Sequence, residues 1–332
     1  MATSERPHPP LLTVVIPTRD RHASLGRVLR SLQDQTLDQN AYEVVVVDDG
    51  SDPPVDCGNE GSRIRVVRLP HGERSAARNR GARESDGRIL LFMDDDMLAG
   101  RSLLEAHAAA HDEWPGALAV GAIGLPEECR QTPFGRFRSA LETIGTPPSR
   151  GPVPRPNFAT AANMSISRDR FLALGGFDVS IVSSEDQDLA LRHSADGGTI
   201  VYLPEASSIH EDRANLRAYC RRAEWGAEHM APFCQRYPDW PDNQERRAVN
   251  GPVSWRRDSP GRILKKAAKR LLGLPPMLMV LFAFVDRLEA LSPSSRVLVT
   301  LYHLVLGIHL QRGFRRGWAA AMRESTTAGA QP

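Results

Sequence analysis

Two of the three continuous apolar runs in the first hundred residues end in aspartate, and that pattern limits the fold more than any other feature. LLTVVI (11–16) is stopped by Pro17. EVVVVD (43–48) opens into the turn residues DDGSDPP, and RILLFM (88–93) leads straight into Asp94, Asp95 and Asp96. Apolar runs of this length between turn residues read as strands buried on both faces. Between them, Leu25, Val28, Leu29 and Leu32 share one face of a helix over 22–35, and RIRVVRL (63–69) alternates as a half-buried strand does. A second helix, over 75–85, is stopped by Gly87. Strand–helix alternation implies a parallel sheet with right-handed crossovers, whose ligands bind beyond the carboxyl ends of the strands. The aspartates fall at those ends.

Each acidic cluster admits a structural and a chemical reading. Asp48-Asp49-Gly50-Ser51 has the composition of a tight turn, and a carboxylate fixed there can equally accept a nucleobase N–H or a ribose hydroxyl. Three adjacent carboxylates, Asp94 to Asp96, raise one another's pKa unless a cation is present. Their hard oxygens suit Mg²⁺ or Mn²⁺, which typically take one or two protein carboxylates plus phosphate oxygens, so the cluster points to a metal–diphosphate site. Ser183-Ser184-Glu185-Asp186-Gln187-Asp188-Leu189 enters a helix, whose dipole favours acids in its first turn. A carboxylate there can also serve as a general base. His210 closes the strand-like TIVYLPEASSIH, either as a structural histidine or as a third metal ligand.

With 41% hydrophobic and 25% charged residues in a chain of 332, disordered and disulfide-scaffold classes are excluded. Cys57, Cys129, Cys220 and Cys234 form no CxxC pair or zinc spacing and read as reduced core residues of a cytoplasmic protein. MATSERPHPP has no basic-then-apolar leader pattern. The pattern divides the chain into 1–104, 105–250 and a helical tail, 251–332. Residues 255–318 hold 12 Arg/Lys against Asp258, Asp286 and Glu289, whereas residues 1–254 hold 29 basic against 36 acidic residues. The tail's basic RILKKAAKRLLGL precedes MLMVLFAFV and VLVTLYHLVLGI, neither of which reaches the ~18–20 uninterrupted apolar residues of a spanning helix. Three readings follow for 255–318: packing or dimer helices, peripheral membrane contact, and, least favoured for want of aromatic platforms, nucleic-acid binding.

Taken together, VVIPTRDR (14–21), VVVDDGS (45–51), AARNRGARESDGRILLFMDDD (76–96), NMSISRDRFLALGGFD (163–178), EDQDLALR (185–192) and His210 resemble the family 2 glycosyltransferases. The resemblance implies a GT-A-like, Rossmann-type α/β fold: a mostly parallel sheet flanked by helices, with a C-terminal helical extension. It implies inverting transfer of a sugar from a nucleotide-diphosphate sugar, UDP by default, to a hydroxyl of a glycan or lipid-linked acceptor, with Mn²⁺ or Mg²⁺. Residues 1–104 would bind the donor and 105–250 the acceptor. Pro17, Thr18 and Arg19 would line the base pocket, with Asp49, or else Asp48, taking the base N–H. Arg74, Arg78 and Asn79 would flank the nucleotide, and Asp94 and Asp95 would face it. Asp94, Asp96 and His210 would be the metal ligands. Asn163 and Met164 would lie near sugar and acceptor, Asp186 would be the base, and Glu185 would orient the acceptor. The tryptophan common before the Glu-Asp pair is absent; Ile181-Val182-Ser183-Ser184 stands there. The arginine-heavy, lysine-poor usage suggests a GC-rich bacterial genome, and the implied role is cell-envelope or polysaccharide synthesis. A retaining transferase and a non-catalytic nucleotide-sugar-binding protein are the alternatives.

Overall fold

The computed structural model describes residues 9–57, 63–154, 156–213 and 215–328. They fall into two compact units. The first, made of residues up to 126 with 142–180 and 185–212, is built on one sheet. In chain order it carries β1 (Leu12–Thr18), α1 (His22–Gln33), β2 (Tyr42–Asp48), β3 (Ile64–Arg68), α2 (Arg74–Glu84), β4 (Ile89–Met93) and β5 (Met97–Ala99). Next come α3 (Leu103–Glu113) and β6 (Leu118–Gly124). α4 (Pro133–Glu142) follows in sequence but falls almost wholly in the second unit. The first unit resumes with β7 (Gly151–Pro152), β8 (Asn163–Ser167), α5 (Arg168–Ala173), α6 (Glu185–Ala195) and β9 (Ile200–His210).

The strand order is β3-β2-β1-β4-β8-β6-β9-β5, with β7 beside β9. The first four strands are parallel, as the alternation predicts. Beyond β4 the pattern mixes: β8 runs antiparallel to β4 and β6, and β5 and β7 run antiparallel to β9, while β6 and β9 are parallel. Period-2 alternation splits the core between two faces. Val14, Ile16, Val44, Val46, Leu91 and Met93 pack with Leu25, Leu29 and Leu103, whereas Val15, Val45, Leu90 and Phe92 pack with Ile166, Phe171 and Leu189. Each such large side chain contributes ~1.5–3 kcal/mol by leaving water. In register, Thr18 lies opposite Asp48, and Met97 lies opposite His210. The first pairing aligns two strand ends at one edge; the second sets the end of β9 beside Asp96.

The second unit comprises 127–141, 181–184 and residues from 213 onward. Besides α4 it holds α7 (Leu216–His229), α8 (Ala231–Arg236), α9 (Pro241–Asn250), α10 (Pro260–Leu272), α11 (Pro275–Leu291) and α12 (Arg296–Ala328). α7 and α12 approach so closely that a Cβ at Gly313 or Gly317 would lie 1.9 or 1.8 Å from the Glu224 or Glu228 carbonyl oxygen. Only glycine fits there. Glu224 meets His309, Arg312 and Arg316, so the same seam carries a charge network. α12 runs on through His303, His309 and Gln311, which break the apolar pattern in sequence but not the helix. Its stretch Arg296–Arg323 is long and apolar enough to cross a membrane, contrary to the sequence expectation, and 50% of its apolar window is buried within the protein.

Candidate active site

Five chain segments bring their ends together at the carboxyl edge of the sheet: those after β1, β2 and β4, the start of α6 and the end of β9. Thr18 Oγ1 donates to Asp95 Oδ2 (2.7 Å). Arg21 Nη1 then donates to Asp95 Oδ1 (2.7 Å) and Asp96 Oδ2 (2.8 Å), bridging adjacent acids that would otherwise repel. Burial pushes the Asp95 carboxyl up, and the hydrogen bonds from Thr18 and Arg21 only partly offset it. Burial opposes ionisation of Asp96 too, but His210 and Arg21 outweigh it and hold that carboxyl well below the usual range. His210 Nε2 lies 3.5 Å from Asp96 Oδ2.

Arg78, buried in α2, joins the two remaining acids. Its Nη2 donates to Asp94 Oδ1 (2.6 Å) and its Nη1 to Glu185 Oε1 (2.7 Å). Glu185 is thereby held inside, while Asp186, next to it, is only partly covered. Among the described residues, the Asp186 oxygens accept from backbone amides alone, Gln187 N at 2.8 Å and Ala161 N at 3.3 Å. Burial, and then the Glu185 charge, push this carboxyl up to about 7 despite Arg78. The residue before α6, Ser184, has φ 74, a left-handed backbone that is uncommon outside glycine and costs of order 1–3 kcal/mol.

Asp48 and Asp49 lie in different surroundings. Asp48 is fully buried and accepts from Ser51 N (2.8 Å) and Val55 N (3.1 Å), so it shapes the turn. Asp49 Oδ1 accepts from Gly72 N (2.7 Å), and Oδ2 lies 3.3 Å from His71 Nδ1. His71 in turn contacts exposed Arg19, while Pro17 is buried. Arg74 is exposed at the start of α2.

Three residues expected near the ligands are engaged within the protein. Asn79 is structural: its amide exchanges two 2.8 Å hydrogen bonds with the Phe177 backbone. Asn163 and Met164 are wholly buried in β8, an interior strand whose side chains on both faces enter the protein. Asn163 Nδ2 donates to Ala206 O (2.8 Å) and Ser208 Oγ (3.1 Å), its Oδ1 contacts His107 Nε2 (2.9 Å), and Met164 joins the core. Both side chains are spent on contacts within the protein. Arg21 and His71 were given no role from sequence. Arg21 lies within VVIPTRDR and has a legible signal, a cation opening a helix beside an acidic edge; His71 has none.

Among the described residues, no group of three or more His, Cys, Asp or Glu side chains converges to hold a metal. Asp94 turns to Arg78, and the adjacent pair Asp96 and His210 remains. Two protein donors suit a hard divalent cation that draws its other ligands from phosphate and water, so the donor chemistry fits.

Residues 13–152 match the glycosyl transferase family 2 model. The chain is 30% identical over 256 residues to the pre-mycofactocin glycosyltransferase of Mycobacterium tuberculosis, covering 72% of this chain and 52% of that one. It is 43% identical over 110 residues to the validoxylamine A glucosyltransferase of Streptomyces hygroscopicus, covering 31% and 24%. It thus spans about half the length of the first relative and a quarter of the second. Among solved structures it resembles the mannosyltransferase from Pyrobaculum calidifontis in complex with GDP-Man and Mn²⁺, with TM-score 0.56 and 19% identity over 93% of this chain and 88% of that one. The fold is of the GT-A class. The match to glycosyl transferase family 2 thus takes in residues 13–152 of this chain.

Proposed function

We propose that the protein is an inverting glycosyltransferase that moves a sugar from a nucleotide-diphosphate sugar, UDP-linked in the first instance, to a hydroxyl of a glycan or lipid-linked acceptor. Cell-envelope or polysaccharide synthesis in the cytoplasm, at a membrane face, is the setting this reading implies. One observation carries it: Asp186 is a half-buried residue whose oxygens, among the described residues, meet only backbone amides and whose proton affinity is raised. A group that titrates near neutral pH is suited to accept a proton from an attacking hydroxyl, an effect worth ~10²–10⁴ in rate.

The other residues support that proton transfer. Arg78 holds Glu185 away from the acceptor side and limits how far Asp186 rises; it is a positioning residue. Asp49 is the acceptor for a base N–H, with Arg19 and Pro17 at the same strand edge. Asp96 and His210 would hold Mn²⁺ or Mg²⁺, and Asp94 would reach it only on leaving Arg78. When bound, the cation supplies positive charge against the diphosphate. Arg21, which already neutralises Asp95 and Asp96, keeps that edge from repelling an incoming diphosphate.

Calorimetry with UDP, GDP, dTDP and CDP, each with and without Mn²⁺, tests the donor and cation assignments. Tight binding of one nucleotide, strengthened by Mn²⁺ in the wild type but not in Asp96→Ala, is the expected result; metal-independent binding in both would remove Asp96 from the site. The anomeric configuration of the product decides between inversion and retention.

A further inference from the structure

Helix α10 is inside out. Lys266 is 2% exposed, with its Nζ 2.9 Å from Asp258 Oδ2, while Leu264 and Leu271 are 70% and 61% exposed. Exposed Ala267 and Ala268 lie between those leucines at helical spacing, so the apolar stripe faces solvent and a lysine faces the protein. α11 continues the pattern. Leu278 and Val285 pack inward, with Leu281 and Leu288 beside them, yet Met277, Val280 and Phe284, spaced i, i+3, i+7, lie exposed on another face. A helix that is apolar on two faces has its second face covered by protein or by lipid.

The charges around this face choose between those covers. Arg256, Arg257, Arg262, Lys265 and Arg270 are all exposed. The acids of the same stretch are already engaged: Asp258 with Lys266, Asp286 with Arg217, and Glu289 with Tyr302. A second copy of the chain docked two-fold on this face would set cation against cation. An anionic bilayer surface complements it, taking the leucines and Phe284 into the acyl boundary and the basic residues to the headgroups; exposed Trp255 suits the same depth. We propose that α10 and α11 form a peripheral docking face for anionic lipid bilayers. This goes beyond the glycosyltransferase reading and does not depend on it.

The test is co-sedimentation of the full chain with phosphatidylcholine vesicles, with and without phosphatidylglycerol. Wild type should pellet only with the anionic vesicles. Leu264→Glu/Leu271→Glu/Phe284→Glu should lose at least about tenfold in affinity, and Lys265→Gln/Arg270→Gln should lose roughly thirtyfold. All five positions are exposed, so urea midpoints should stay at the wild-type value. Nucleotide binding, measured alongside, should be unchanged in both variants, which separates failure of this face from failure of the donor site. Wild type remaining in solution with both vesicle types would overturn the proposal. So would a triple variant that binds as wild type does, or a dimer in light scattering that the triple variant converts to monomer.

Discussion

Replacing Arg78 with methionine should destabilise the protein more than any other single change at the acidic edge. The guanidinium is buried and makes charge-assisted hydrogen bonds of 2.6 and 2.7 Å to Asp94 and Glu185. Methionine nearly fills the space but leaves two carboxylates without their cation. Removing one partner of a buried pair costs ~3–5 kcal/mol. The Asp94 side chain is 27% exposed and water softens its share, so about 3 kcal/mol is expected. Urea unfolding followed by circular dichroism measures this. Arg80→Met is the control: it breaks only the surface pair with Glu84 and should cost less than about 0.5 kcal/mol. A loss below about 1 kcal/mol for Arg78→Met would refute the reasoning.

Because Asp186 must be ionised to accept a proton, donor turnover should rise with pH through about 7. Glu185→Gln removes a neighbouring negative charge and should move that limb to lower pH; an unmoved limb would break the coupling. A carboxyl raised in the folded state favours folding at low pH and loses that contribution as pH climbs past its unfolded value toward 7. Asp186→Asn should therefore raise the melting temperature at pH 8 and not at pH 4. Burial pushes the thiols of Cys220 and Cys234 up to about 12 and 11, so a thiol reagent at pH 8 should modify half-buried Cys129 well before either. Gly317→Leu would drive a side chain into the Glu228 carbonyl and should cost about 1–3 kcal/mol in urea unfolding, a measure of the α7–α12 seam.

The strand ends were legible because runs such as EVVVVD are apolar on both faces and stop at turn residues. The proximity of Asp96 and His210 was suggested by resemblance, but its physical cause is the pairing of Met97 with His210, and pairing of strands distant in sequence leaves no local trace. The burial of Asn163 and Met164 was hidden for a related reason. NMSIS reads as a strand, but only the sheet order shows that β4 and β6 flank it and that both its faces are covered. The Arg78 bridge hides for lack of pattern: an arginine in a polar helix such as RSAARNRGARE looks solvated until Asp94 and Glu185 converge on it. The helical unit takes in α4 and the chain from 213 rather than beginning at 251, since α7 and α9 are too polar to advertise burial.

Asp186→Asn measures the central claim most directly. Paired measurements of nucleotide affinity and of sugar release from the donor into water require no acceptor. The account predicts affinity within about twofold of wild type and sugar release lower by ~10² or more. Release at the wild-type rate, or loss of nucleotide binding, would show that Asp186 is not the base.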